Sequence, residues 1–223
     1  MNSIDSVTLE VADTEAAAHF YSAAFGLDPS RVRLRASEAP TTGFRGFTLS
    51  LVVSQPGNVD ALVAAALDAG ATTVKPAAKS LWGYGGVVRA PDGTVWQIAT
   101  SAKKDTGPPT RDIDEIVLLL GVEDVKASKR FYVEQGLTVG KGFGGKYVEF
   151  ATGPDTVKLS LYKRRGLAKV AGVSADGTGS HRLVLSGATR PFSDPDGFVW
   201  EREPTAPRTV TGEWPAGRPA GGH

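Results

Sequence analysis

The side chains able to do chemistry in this chain are few, and their types already narrow what that chemistry is. None of the 223 residues is cysteine, so disulfides, thiolate metal ligands and a cysteine nucleophile are all absent. Histidine occurs three times, as His19, His181 and His223. A metal ion would therefore have to be held by imidazole, carboxylate or amide groups. His19 lies beside Phe20 in a helical stretch and takes no role. GVSAD is not a nucleophile elbow and His181 has no recognisable serine partner, so no Ser-His-Asp arrangement is read. GKGFGGK (140–146) has P-loop spacing up to its lysine. However, Tyr147 replaces the required Ser or Thr and a strand follows, so it reads as a structural turn. Tyr162-Lys163-Arg164-Arg165 is either a solvated basic edge or a receptor for an anionic group, which arginine grips bidentately. Trp82 and Tyr84 either line a ligand cleft or pack their loop on a sheet.

The elements that must position these residues occur twice. Residues 4–27 (IDSVTLEVADTEAAAHFYSAAFGL) and 113–137 (IDEIVLLLGVEDVKASKRFYVEQGL) both open with Ile-Asp. Both run through an apolar strand to an aspartate, then enter a helix bearing Phe-Tyr that closes at Gly-Leu. APDGTVWQ (90–97) is matched by DPDGFVWE (194–201). Two ordered matches at nearly one offset mark an internal repeat. Val7, Leu9 and Val11 alternate with polar neighbours as a half-buried strand, and Asp13 is placed to cap a helix over 14–25 that Gly26 stops. FTLSLVVS (47–54) reads as a strand, Asn58 as the cap of a helix over 59–69, and Thr94–Ala99 as a returning strand. In the second half KYVEFAT (146–152) and TVKLSLYK (156–163) read as a hairpin turning at Gly153-Pro154-Asp155. RRGLAKVAGVSADGTG reads as one helical turn and a loop. HRLVLS (181–186) is a strand that lacks the helix following its counterpart.

Hydrophobic residues make up 41%, and 25 basic against 24 acidic side chains leave a net charge of +1. That composition predicts a globular core and gives no electrostatic reason to expect nucleic acid or an anionic membrane as partner. No apolar run approaches the roughly 18 residues a membrane helix needs. The opening MNSIDSVTLEVAD carries acids where a secretory signal is basic. A cytoplasmic location is the expectation.

The opening strand, the Phe-Tyr helix ending in Gly-Leu and the closing DPDG-x-x-W-E strand resemble the vicinal oxygen chelate superfamily. Glyoxalase I, bleomycin-resistance proteins, fosfomycin-resistance enzymes and extradiol dioxygenases belong to it. SLWGYGGVVRAPDG (80–93) is similar to the aromatic, glycine-rich segment before the last strand in many members. The resemblance covers residues 4–203 and occurs twice. It implies an α+β fold of two tandem glyoxalase-like domains built from paired βαβββ modules, with curled mixed sheets, helices on the outer face and both domains shortened. The domains are expected at 1–100 and 113–203, with 101–112 as linker and 204–223 as a flexible tail.

The superfamily places metal ligands at three cleft-facing points, on the first strand, the strand opening the second module and the last strand. Carried onto the first half, these are Ser6, Thr48 and Gln97, which are poor donors for a dication. In the second half they are Glu115, His181 and Glu201. One imidazole and two carboxylates suit a divalent ion (Zn, Ni, Mn or Fe) with positions left open for substrate or water. Glu115 or Glu201 would serve as general base if not bound to the metal. Glu115 departs from the His or Gln usual at its point. Where glyoxalase I adds a glutamate, TVKLSLYK offers Lys158, Ser160 and Tyr162; a lysine there could neutralise Glu115 and make the metal unnecessary. Trp82, Tyr84, Lys158 and Tyr162 are the substrate-binding candidates.

Two functions follow from the resemblance. One is a divalent-metal-dependent lyase, isomerase or dioxygenase acting on a small oxygenated substrate in the second-domain cleft. The other is a metal-free binding or sequestration protein of the bleomycin-resistance type. In both, the partner is a small molecule and the protein a monomer or homodimer.

Overall fold

Alternation and capping build the first local structures. β1 (Ser6–Val11) turns Val7, Leu9 and Val11 into the core. Asp13 then accepts hydrogen bonds from the Glu15 and Ala16 N–H groups, both at 2.9 Å, and starts α1 (Thr14–Phe25). Gly26 ends it in the left-handed conformation that a residue without a side chain adopts freely. The second repeat does the same: β8 (Glu115–Val122) leads to Asp124, which caps α3 (Val125–Glu134). The computed structural model describes residues 4–153 and 156–202; the expected tail and part of the Gly153-Pro154-Asp155 turn lie outside them.

The remaining first-half elements are β2 (Val32–Ala36), β3 (Thr41–Gly43), β4 (Phe47–Val52), α2 (Pro56–Asp68), β5 (Thr72–Ser80), β6 (Gly83–Arg89) and β7 (Val95–Thr100). The second half adds β9 (Val139–Phe143), β10 (Tyr147–Phe150), β11 (Lys158–Lys163), α4 (Arg164–Ala171), β12 (Gly177–Gly179), β13 (Leu183–Ser186), β14 (Phe192–Ser193) and β15 (Val199–Glu201). The chain has the mixed, curled sheets of the expected α+β fold, but both sheets draw strands from both sequence halves. The larger has the order β5-β6-β7-β4-β8-β11-β10-β9, the smaller β14-β15-β13-β1-β2. Two complete βαβββ modules, β4 to β7 and β8 to β11, meet where β4 pairs antiparallel with β8. The shortening falls on the other two. The first keeps only β1, α1 and β2 in its sheet, and the last keeps β13, β14 and β15 without a helix.

Within the described residues the chain passes between the sheets twice, along 37–46 and along 164–182. These two passages pair with each other as the β3–β12 ribbon. Glycine is required there. A Cβ on Gly177 would sit 2.3 Å from the Phe44 carbonyl oxygen, and one on Gly179 would sit 2.2 Å from that of Pro40.

One core spans both sheets. Trp96 of β7 packs on Tyr21 and Phe25 of α1, and Tyr132 of α3 lies between Phe150 of β10 and Trp200 of β15. The Tyr21 hydroxyl donates to Asp92 at 2.8 Å and that of Tyr132 to Asp194 at 2.7 Å. Burial first, then these carboxylates, pushes both hydroxyls well above the usual tyrosine range.

Two local readings need correcting. Asn58 is not a cap: α2 starts at Pro56 with Gln55 before it, and the buried Asn58 instead accepts from Thr110 N–H at 2.8 Å. Together with Gln55, which accepts from Thr106 and Gly107, it docks the 101–112 segment on the start of α2. Residues 164–171 form two helical turns rather than one. No described helix is long and apolar enough to cross a membrane.

Candidate functional site: the cleft face of the larger sheet

Helices α2 and α3 cover one face of the larger sheet, so its register decides what the opposite face presents. Because strand side chains alternate, residues paired across strands share a face. One row runs Val87–Gln97–Ser50–Val117–Lys158, and the next Thr48–Leu119–Ser160–Glu149–Lys141. A third joins Tyr162, Tyr147 and Phe143. α4 lies across this face, burying Leu167 and Ala168 against Phe44, Leu119 and Tyr162 and burying Ala171 against Val87 and Val95. Arg164, at its start, donates to the Phe44 carbonyl at 2.6 Å, which pins the helix to the passage before β4.

Beyond α4 the face is polar and internally bonded. Gln97 Nε2 donates to Thr48 Oγ1 at 2.8 Å. The Tyr147 hydroxyl donates to Glu149 Oε2 at 2.9 Å and lies 3.2 Å from Ser160 Oγ. Lys158 Nζ is 2.9 Å from Glu115 Oε2 and 3.8 Å from Glu149 Oε1. Burial, followed by the contact with Glu149, raises the Tyr147 hydroxyl far above its ordinary value, so it holds its proton as a donor. Tyr162, its ring 4.9 Å from that of Tyr147, is also raised by burial.

At the β5–β7 end a cavity of about 430 Å³ is lined by Lys75, Lys79, Trp82, Val87 and Gln97, among others. Trp82 is 84% exposed at its rim. Tyr84 borders the same cavity, but its hydroxyl donates to Asp60 of α2 at 2.8 Å, behind the sheet. Of the four substrate-binding candidates, Lys158 and Tyr162 share the cleft face, Trp82 stands at its edge and Tyr84 points its polar end away.

The three ligand candidates are not brought together. Glu115 lies in the larger sheet, while Glu201 lies in the smaller one and His181 just before β13 of that sheet. Each has another partner. Glu115 pairs with Lys158. Glu201 holds Arg35 Nη1 at 3.1 Å, and the same guanidinium holds Glu10 at 2.8 Å. His181 stacks on Phe198 with its Nδ1 against the Arg45 carbonyl and its Nε2 3.0 Å from the Asp196 carbonyl. Both ring nitrogens thus face backbone carbonyls of other segments rather than Glu115 or Glu201. Among the described residues no three His, Asp or Glu side chains cluster as a metal site.

The register also shows why Glu115 looked suitable. Ser6 lies seven residues before the helix cap Asp13, and seven before Asp124 stands Val117. β8 has eight residues against six in β1. Aligning the two Ile-Asp starts therefore slides the match by two residues, roughly 6.8 Å along the same face. The equivalent points in the larger sheet are Thr48, Gln97, Val117 and Ser160: two hydroxyls, an amide and an alkyl group. This donor set does not fit a dication. Tyr147 and Glu149 were missed by sequence reasoning. Their signal was present, since 147 and 149 alternate in step with 158, 160 and 162 across the hairpin.

Residues 6–99 match the glyoxalase-like domain family. The structure of glyoxalase I from Zea mays superposes with a TM-score of 0.59 at 15% identity, covering 90% of this chain and 91% of that one. A glyoxalase/bleomycin resistance protein/dioxygenase family enzyme from Burkholderia phytofirmans PsJN gives a TM-score of 0.42 at 23% identity, over 45% of this chain and 99% of that one. A glyoxalase-related enzyme from Fulvimarina pelagi gives 0.36 at 23% identity, over 45% and 88%. No curated protein sequence matches the chain.

Proposed function

From the premise that the chain has the vicinal oxygen chelate fold, with a glyoxalase-like domain at residues 6–99, we propose that it binds a small molecule without a metal, on the cleft face of the larger sheet. The observation that supports this most is the ion pair of Lys158 with Glu115, beside Glu149, on a face whose four central positions carry no charged donor. A lysine already supplies the positive charge that a cation would bring. The lyase, isomerase or dioxygenase reading needs a ligand set that Glu115, His181 and Glu201 do not make in this arrangement.

The binding chemistry follows from the groups present. Trp82 offers an exposed ring for stacking at the rim of the 430 Å³ cavity. Gln97 lines the same cavity and, held by Thr48, offers a fixed amide that orients a ligand's oxygens or nitrogens. The ligand is a small, partly aromatic or apolar molecule bearing polar substituents, held as in the sequestration reading.

Elemental mass spectrometry on untagged protein tests this, after incubation with Mn²⁺, Ni²⁺, Zn²⁺ and anaerobic Fe²⁺ and then dialysis. No stoichiometric metal is expected, and a thermal-shift screen of small aromatic ligands should give hits that Trp82→Ala or Gln97→Ala weakens. A near-stoichiometric metal, lost in His181→Ala or Glu201→Gln, would overturn the proposal.

A further inference from the structure

A second cavity, about 120 Å³, lies on the far side of α4 from the Trp82 cavity. The two are separated by the contact of Ala171 and Val173 with Val87 and Val95. Its walls come from three segments: Gly43, Phe44, Arg45 and Phe47 before and into β4, the β6–β7 turn with Arg89 and Gly93–Val95, and Val173, Ser174 and Asp176 after α4.

Two arginines line it without a carboxylate partner. Arg45 is half-buried, and the hydrogen bond its guanidinium makes runs to a backbone carbonyl, that of Asp92. Arg89 is exposed at the mouth, and among the described residues its side chain makes no hydrogen bond or ion pair. Burial is the main influence holding the Arg45 guanidinium below its ordinary value. Asp92 opposes that effect, and Arg182 and Arg89 reinforce it. Asp92 is itself committed elsewhere, accepting from Tyr21, Thr94 N–H and the Thr94 hydroxyl. The cavity therefore gathers guanidinium N–H groups, while the Asp92 carboxylate that acts on Arg45 is engaged by Tyr21 and Thr94. Such a fork matches the oxygens of a phosphate or carboxylate. Asp176, whose carbonyl accepts from Phe44 N–H at 2.8 Å, lines the same space; its carboxylate accepts from Ser174 and keeps further lone pairs for a donor.

We propose that this cavity binds a small oxyanion that also carries an O–H group, its charged oxygens on Arg45 and Arg89 and its hydroxyl on Asp176. Monohydrogen phosphate and short 2-hydroxycarboxylates share that chemistry. The volume equals that of about four waters, which admits such an ion and little more.

Isothermal titration with inorganic phosphate tests the site, with lactate as the carboxylate source and sulfate at matched ionic strength and neutral pH as the anion without a hydroxyl. Saturable one-to-one binding of phosphate or lactate is expected, weakened at least tenfold in Arg89→Gln. Arg89 is exposed, so its loss leaves the fold intact, as circular dichroism will check. Asp176→Ala, which removes the acceptor, should lower the preference for the hydroxyl-bearing anions over sulfate. Which of phosphate and lactate binds tighter identifies the source. No saturable binding of either, or equal binding by wild type and Arg89→Gln, would overturn the proposal.

Discussion

Lys158 Nζ sits within 4 Å of two carboxylates, Glu115 on β8 and Glu149 on β10, in a row otherwise made of hydroxyl, amide and alkyl groups. Removing its charge leaves two like charges facing each other across β11. The pair is partly exposed, its side chains 22% and 47% accessible, so Lys158→Gln should lower stability by only about 0.5–1 kcal/mol in denaturant titration. Asp194 is a different case because its partners are buried. One oxygen accepts from Tyr132, and the other from the Asp196 and Phe198 N–H groups at 2.9 and 2.8 Å. Asp194→Ala strands those donors and should cost about 3 kcal/mol, read as a lowered denaturation midpoint, whereas Asp194→Asn keeps an acceptor and should cost less. At this scale the sequence was legible where a cap or turn carries its own signal, as with Asp13, Asp124, Gly26 and the two DG turns. It misled at Glu115 because the chemistry of a strand residue depends on register, and two extra residues in β8 moved that register.

An element's existence is written locally, but its neighbours are not. The sequence pattern indicated most of the strands, α1 to α3 and the missing helix after β13, since each rests on periodicity and punctuation. That β1 would pair with β13, and β4 with β8, is carried by no residue of those strands. Strand pairing depends on which apolar faces can be buried together once α1, α2 and α3 occupy the space between the sheets. α4 shows the same limit. Its buried apolar positions, Leu167, Ala168 and Ala171, are too few for a helical period to stand out in a glycine-rich, basic stretch. The helix depends on the contacts it makes on the sheet. Leu167→Ala, at a fully buried site, should therefore cost roughly 3 kcal/mol. It should also expose Leu119 and Tyr162, which faster hydrogen exchange in β8 and β11 will detect while β13 and β15 keep their protection.

Across the whole molecule, all five tyrosines are pushed above their ordinary value. Burial leads at Tyr21, Tyr132, Tyr147 and Tyr162, and the hydrogen bond to Asp60 leads at Tyr84. The folded chain thus keeps protons that the unfolded chain releases near pH 10. The stabilisation is intact below that pH and is lost as pH rises through the folded values. Denaturation midpoints should stay level to about pH 9 and fall by pH 11, with tyrosinate absorbance rising only as the protein unfolds. The sharing of both sheets between halves makes a second prediction. Residues 1–112 and 113–223 expressed separately should each lack cooperative unfolding, and should regain it on co-expression. Two separately folded halves would contradict the cross-half pairing. The β3–β12 ribbon has a mechanical consequence. Both covalent passages between the sheets run side by side through it, like the spine of a book whose covers are the two sheets. Turning one cover about that spine stretches neither passage, whereas sliding one past the other shears both at once. The crowded glycines leave the ribbon no slack for that slide.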